Sequence, residues 1–270
     1  MWNAEADSEE RFRKTAIWGS AAIVAAIAIG AFVYYRYYAH PAPPPQAAAP
    51  AGPAPQVAPP AIEHPVPEAG ADAKPLPALN DSDAEVRNSL VGLFGPKPTE
   101  AFLNPENIVR HVVATVDNLA RNKVAVELRP IKPTPGGTIV ASQGEVTTLS
   151  AANYDRYAPF IKVVQMADPR TAAAVYFRLY PLFQQAYEDL GYPGMYFNDR
   201  LVQVIDELLQ TPDVKGPIKL VQPKVFYEYA DPELEKLPAG QKLLLRMGSA
   251  NAAVVKGKLR ELRAEIVQHK

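Results

Sequence analysis

After residue 79 of this 270-residue chain, carboxylates that could move protons are plentiful, among them Glu188, Asp189, Asp199, Asp206, Glu207 and Glu228. Asp199 and Asp206 stand seven residues apart and could share a helix face. Two carboxyl groups a few ångströms apart can hydrolyse a glycosidic bond, and facing acids can hold a hard cation. The competing reading is a solvated helix face, with Arg200 and nearby lysines as partners, and it weighs more because charged helix surfaces are the norm. Histidine chemistry has one candidate. His111 is flanked at −4 and +4 by Asn107 and Thr115, which gives no paired zinc ligands, and no G-x-S-x-G turn accompanies it. Cysteine is absent, which removes thiolate metal sites, disulfides and cysteine nucleophiles. Gly240-Gln241-Lys242 and Gly248-Ser249-Ala250-Asn251 miss the spacing of a phosphate loop. Lys256, Lys258, Arg260 and Arg263 are interleaved with Glu261 and Glu265 and read as a solvated face. No residue is assigned to catalysis, to a cofactor or to a metal.

The least ordinary segment is YEDLGYPGMYFNDR, residues 187–200. Gly191 suits the position after a helix, and Pro193-Gly194 a tight turn. Tyr187, Tyr192, Tyr196 and Phe197, with Asn198, Asp199 and Arg200, form the candidate binding surface: an aromatic ledge with polar partners for a glycan or a peptide. Two helices pinned by buried rings is the structural alternative, and it is preferred, since aromatic residues dominate cores as well as interfaces.

The elements that must position these residues are legible from periodicity. Ser82 and Glu85 have capping-box spacing ahead of Val86, Leu90, Leu93 and Phe94, and Gly95 is a natural stop. Asn104-Pro105 marks a second helix start, followed by Ile108, Val109, Val112, Val113 and Val116 on one face. Residues 123–130 look extended. Residues 138–141 and 145–149 flank Ser142-Gln143-Gly144 as a hairpin. Helices are expected over 154–166, 170–190 and around Leu201–Leu209. Short strands are expected at 218–221 and 224–229, and helices again at 242–247 and 251–267. The predicted class is α+β: mostly helical, with a minor antiparallel β-hairpin component.

Ahead of this domain, assigned to 79–270, the composition changes twice. Residues 15–35 form a run of 21 with no charge and no proline. Twenty helical residues cover about 30 Å, the thickness of a hydrocarbon core. Trp18 lies near one end and Tyr34, Tyr35, Tyr37 and Tyr38 at the other, as at membrane interfaces. Arg11, Arg13 and Lys14 precede the span, so residues 1–14 are expected in the cytoplasm and the remainder outside. A cleaved signal peptide is the competing reading, disfavoured by the length of the run and the bulky residues after it. Ala22, Ala26 and Gly30 recur at intervals of four and could pair two spans into a homodimer. Residues 39–77 hold 13 prolines with many alanines, which predicts a semi-stiff, disordered tether. A net charge of −1 offers no global attraction to nucleic acid.

Several blocks carry a resemblance: LPALNDSDAEVR (76–87), ATVDNLAR (114–121), LGYPGMYFNDRLVQVID (190–206), LVQPKVFYEYADPELE (220–235) and AGQKLLLRMGSANAAVVKGKLREL (239–262). In these the chain resembles the proteobacterial family catalogued as domain of unknown function 3014. The resemblance implies a bacterial inner-membrane protein with a periplasmic domain, and it implies no activity. The expected function is therefore a membrane-anchored binding or scaffold protein of the cell envelope, with a periplasmic protein or the cell wall as partner. The alternatives are a wall or polysaccharide hydrolase using Asp199 or Glu228 with a second acid, and an assembly factor dimerising through its span.

Overall fold

A computed structural model describes residues 61–67, 74–122 and 125–268, all within a unit running from Pro59 to Lys270. The stub 1–14, the span 15–35 with Ala22, Ala26 and Gly30, and the tether over 39–60 and 68–73 lie outside the described residues. Among the described residues no helix is long and apolar enough to cross a membrane.

A 3-10 turn, Leu79–Asp81, leads into α1 (Asp83–Phe94) and α2 (Pro96–Phe102). The expected capping box does not form. Ser82 has helical dihedrals, φ −84° and ψ −13°, instead of the extended ones a capping residue needs, and its hydroxyl donates to Leu79 O at 2.7 Å. Its neighbour Asp83 instead caps α3 (Ile108–Leu119), accepting from the Asn107 and Ile108 amides at 2.7 and 2.8 Å. That helix starts later than Asn104-Pro105 suggested. Asn104 is engaged elsewhere, its side-chain amide on Arg129 O and its backbone N–H on Pro130 O. Residues 126–128 form a 3-10 turn where an extended segment was expected.

β1 (Val140–Gln143) and β2 (Val146–Leu149) make the expected hairpin, with Val140 opposite Leu149 and Gly144 at φ +60° in the turn. α4 (Ala151–Asp155) and α5 (Ala158–Met166) replace one expected helix. Pro159 explains the break: its ring disfavours a continuous helix through the preceding residues, while the first turn of a new helix tolerates it. α6 (Pro169–Asp189) is capped by Asp168, which accepts from Thr171 N at 2.8 Å, and α7 (Phe197–Leu209) follows the turn at 190–196. β3 (Lys219–Val221) and β4 (Glu228–Tyr229) extend the hairpin into a four-stranded antiparallel sheet of order β1-β2-β3-β4. The chain closes with α8 (Pro232–Glu235), α9 (Ala239–Met247) and α10 (Ser249–Val267). The α+β, mostly helical class stands.

The largest apolar cluster joins α1, α3, α6 and the start of α7 through Val86, Ile108, Val113, Leu179, Phe183 and Phe197. The sheet buries Leu149, Leu220 and Tyr229 against Leu245 of α9. The last helix, expected over 251–267, divides its apolar residues between two clusters. Val255 packs toward Tyr157 and Leu244, while Ile266 joins Val202 and Ile205 of α7.

Candidate functional site

The segment singled out in sequence, 187–200, is the corner between α6 and α7. Tyr187 and Phe197 are 2% and 1% exposed, so they are core residues and not a ledge. Tyr187 stacks on half-buried Tyr192 with ring centres 4.5 Å apart, and Phe197 stacks on Phe183 at 5.7 Å. Tyr196 is half-buried at the position preceding α7. Gln184 closes the corner: its carbonyl accepts from Phe197 N at 2.9 Å and its amide donates to Met195 O at 2.7 Å. Gly191, at φ +113°, ends α6 in a conformation that L side chains rarely adopt. Burial raises the Tyr187 hydroxyl and raises Tyr176 further, and it pushes Tyr180 up to about 12. The Tyr176 and Tyr180 hydroxyls act as neutral hydrogen-bond donors, to Asn198 and Gln184.

Arg200 does not face solvent as a ligand-binding cation. It donates through Nε and Nη2 to Asp117 Oδ1, at 3.0 and 2.9 Å, and through Nη2 to the Asp117 carbonyl at 3.1 Å. Asp117, 4% exposed, also holds Arg121 at 2.7 Å and accepts from the Tyr192 hydroxyl at 3.2 Å. A buried carboxylate is tolerated here because two guanidinium groups and a phenol satisfy it. Sequence reading passed over Asp117. The available signal was its register, four residues after Val113 and eight after Val109 on the buried face of α3.

Asn198 and Asp199 grip the chain's own amino-terminal segment. Asn198, 0% exposed, accepts from the Tyr176 hydroxyl at 2.9 Å and donates to His64 O at 2.8 Å. The Asp199 carboxylate accepts from the backbone amides of Glu63 and His64, at 3.1 and 2.7 Å. Residues 61–67, counted with the tether in sequence, are thus hydrogen-bonded to the start of α7. Free backbone donors in a proline-rich stretch are scarce, and these two meet a carboxylate in the first turn of a helix, where negative charge is favoured. Of the seven candidate surface residues, the structure gathers all at one corner, but three are buried and Asp199 and Arg200 are committed to internal partners.

The remaining acids are also engaged, except that Glu228 lies exposed on β4. Asp206 forms a two-pronged ion pair with Arg263, at 2.6 and 2.9 Å, about two turns along α7 from Asp199. Asp189 pairs with Arg110 at 2.9 Å, and Glu207 accepts from Gln203 at 3.1 Å. Among the described residues no group of three potential metal ligands occurs. His111 is half-buried on α3, with Nδ1 enclosed and unpartnered among those residues. The glycines of the two segments, Gly240 in α9 and Gly248 between α9 and α10, are packing features. A Cβ at Gly240 would lie 2.6 Å from Leu208, and one at Gly248 would lie 2.7 Å from the Tyr154 ring, with φ at +83°.

A cavity of 540 Å³ opens between α1, α2, α3, α5, α6 and α10. Phe102 and Phe160 meet edge-on, ring centres 6.3 Å apart, on its wall, and Val112, Val163, Val175 and Leu259 line it. Periodicity marks Val112, Val175 and Leu259 among these as ordinary apolar helix positions. The volume left between the helices is a tertiary quantity with no local signature.

The family model described as "Protein of unknown function (DUF3014)" matches residues 108–263, from the start of α3 to the middle of the last turns of α10. No curated protein and no solved structure matches the chain.

Proposed function

We propose that this chain, which belongs to the DUF3014 family of proteins of unknown function, is a membrane-anchored binding or scaffold protein of the bacterial envelope. In this reading residues 15–35 hold it in the inner membrane and residues 1–14 remain cytoplasmic. Residues 39–60 act as the spacer, and the helical domain works in the periplasm on a protein or cell-wall partner. The observation that carries the reading is the grip of Asn198 and Asp199 on Glu63 and His64. Three hydrogen bonds make Glu63 and His64 part of the domain, so in this reading the spacer that sets its reach from the membrane ends near residue 60 and not at 77. The same grip occupies the acid that a hydrolase would need first, and Asp206 is neutralised by Arg263.

The test is topological. A reporter enzyme active only after export, fused behind Lys270, is expected to be active. A protease site placed among residues 45–55 is expected to release the folded domain from membranes into the periplasmic fraction. A silent reporter, or a domain found in the cytosol without cleavage, contradicts the reading.

A further inference from the structure

The 540 Å³ cavity has chemistry of its own, apart from the envelope reading. Its floor reaches the main core at Ile108, Leu179 and Phe183. Two neutral polar side chains line it, and both are satisfied elsewhere: Thr99 donates to Gly95 O at 2.8 Å, and Tyr176 to Asn198. Lys258 is the single charged residue on the lining.

A sugar, a nucleotide or an extended peptide would bring polar groups that find no partner on such walls, and each unmet group is costly. Hydrocarbon needs no partner and gains from leaving water. At about 30 Å³ per methylene, close to the share of a water molecule in the liquid, the space takes on the order of 18 carbons. That matches one long chain. The charge at the mouth complements a carboxylate. Lys258 now bonds Glu261 at 2.9 Å, three residues on, an accessible pair of the kind that yields readily to a competing anion. Asp168 lies within electrostatic reach of this ammonium and slightly opposes an incoming anion.

We propose that the cavity binds a single long-chain fatty acid, its chain between Val112, Phe160, Val163 and Leu259 and its carboxylate on Lys258. Nothing in the family description assigns such a site.

The experiment uses the full chain with phosphatidylcholine vesicles containing a long-chain fatty acid that carries a diazirine near its terminal methyl. After illumination, adducts are mapped by mass spectrometry. They are expected on peptides of α3, α5 and α6. Val163→Trp and Val164→Phe fill the space from two positions, and in any variant that keeps the wild-type unfolding midpoint the labelling should fall about tenfold, as overpacking closes the site. Lys258→Gln should weaken labelling about fivefold, the worth of one exposed charge contact, and Glu261→Gln should strengthen it by freeing the ammonium. Adducts confined to residues 15–35, or labelling that survives both filling substitutions in folded protein, overturns the site. A fatty alcohol that competes as well as the acid overturns the assignment of the carboxylate to Lys258.

Discussion

The corner at 187–200 and the cavity beside α5 lie within one domain and are built on opposite terms. At the corner, the polar side chains that join the elements are matched with partners. Asp117 has two arginines and a tyrosine, Gln184 bridges two helices, and Asn198 links Tyr176 to the backbone of His64. In the cavity almost no polar group is present to be satisfied, and space is left over. Residue types that look like a binding surface in sequence are here a clamp. Residue types that look like plain core enclose the space a ligand could enter. Satisfied polarity rigidifies, and unfilled apolar volume accepts hydrocarbon.

The contrast is sharpened by substitutions on both sides. The largest expected effect is Phe197→Ala, which empties a fully buried ring site between Phe183 and Tyr187 and should cost about 3–5 kcal/mol in urea unfolding. Next, Asp117→Asn leaves the largely buried Arg200 without its counter-charge and should cost about 3 kcal/mol. Pairing it with Arg200→Met in a double-mutant cycle should recover most of that loss, and strict additivity would show that the ion pair is not the link between α3 and α7. Asp199→Ala should lower global stability by only about 1 kcal/mol, yet amide exchange at Glu63 and His64 should rise toward the rate of an open chain. Unchanged protection there would break the picture of a clamp. Val163→Ala is expected to be smallest, under about 1 kcal/mol, because the half-buried side chain already borders empty space and leaves few contacts to lose.

Much of the fold could be read along the chain, for reasons visible in particular residues. The hairpin was legible because Gly144 stands between two β-prone runs, and the last helix because Val255, Leu259, Leu262 and Ile266 keep a strict spacing. The capping box failed because the local pattern of Ser82 and Glu85 cannot reveal that Leu79 O competes for the hydroxyl. Nor can it reveal that Asp83 is needed 24 residues away, at Asn107. The corner was legible as a place, and the preferred reading of two helices pinned by buried rings agrees with the burial of Tyr187 and Phe197. Aromatic rings announce burial or binding equally, and only the positions of Asp117 and His64, 83 and 134 residues from their partners, decide between them. The cavity has no sequence signature at all, since it is what six helices leave unfilled.

The most direct measurement is hydrogen–deuterium exchange of the full chain in vesicles, with and without added long-chain fatty acid. The account predicts slower exchange on addition in peptides from α2, α5 and the middle of α6, which wall the cavity, and no change in residues 187–200. Slower exchange at 187–200, with the cavity walls unaffected, would contradict it and return the aromatic corner to the role of a ligand site.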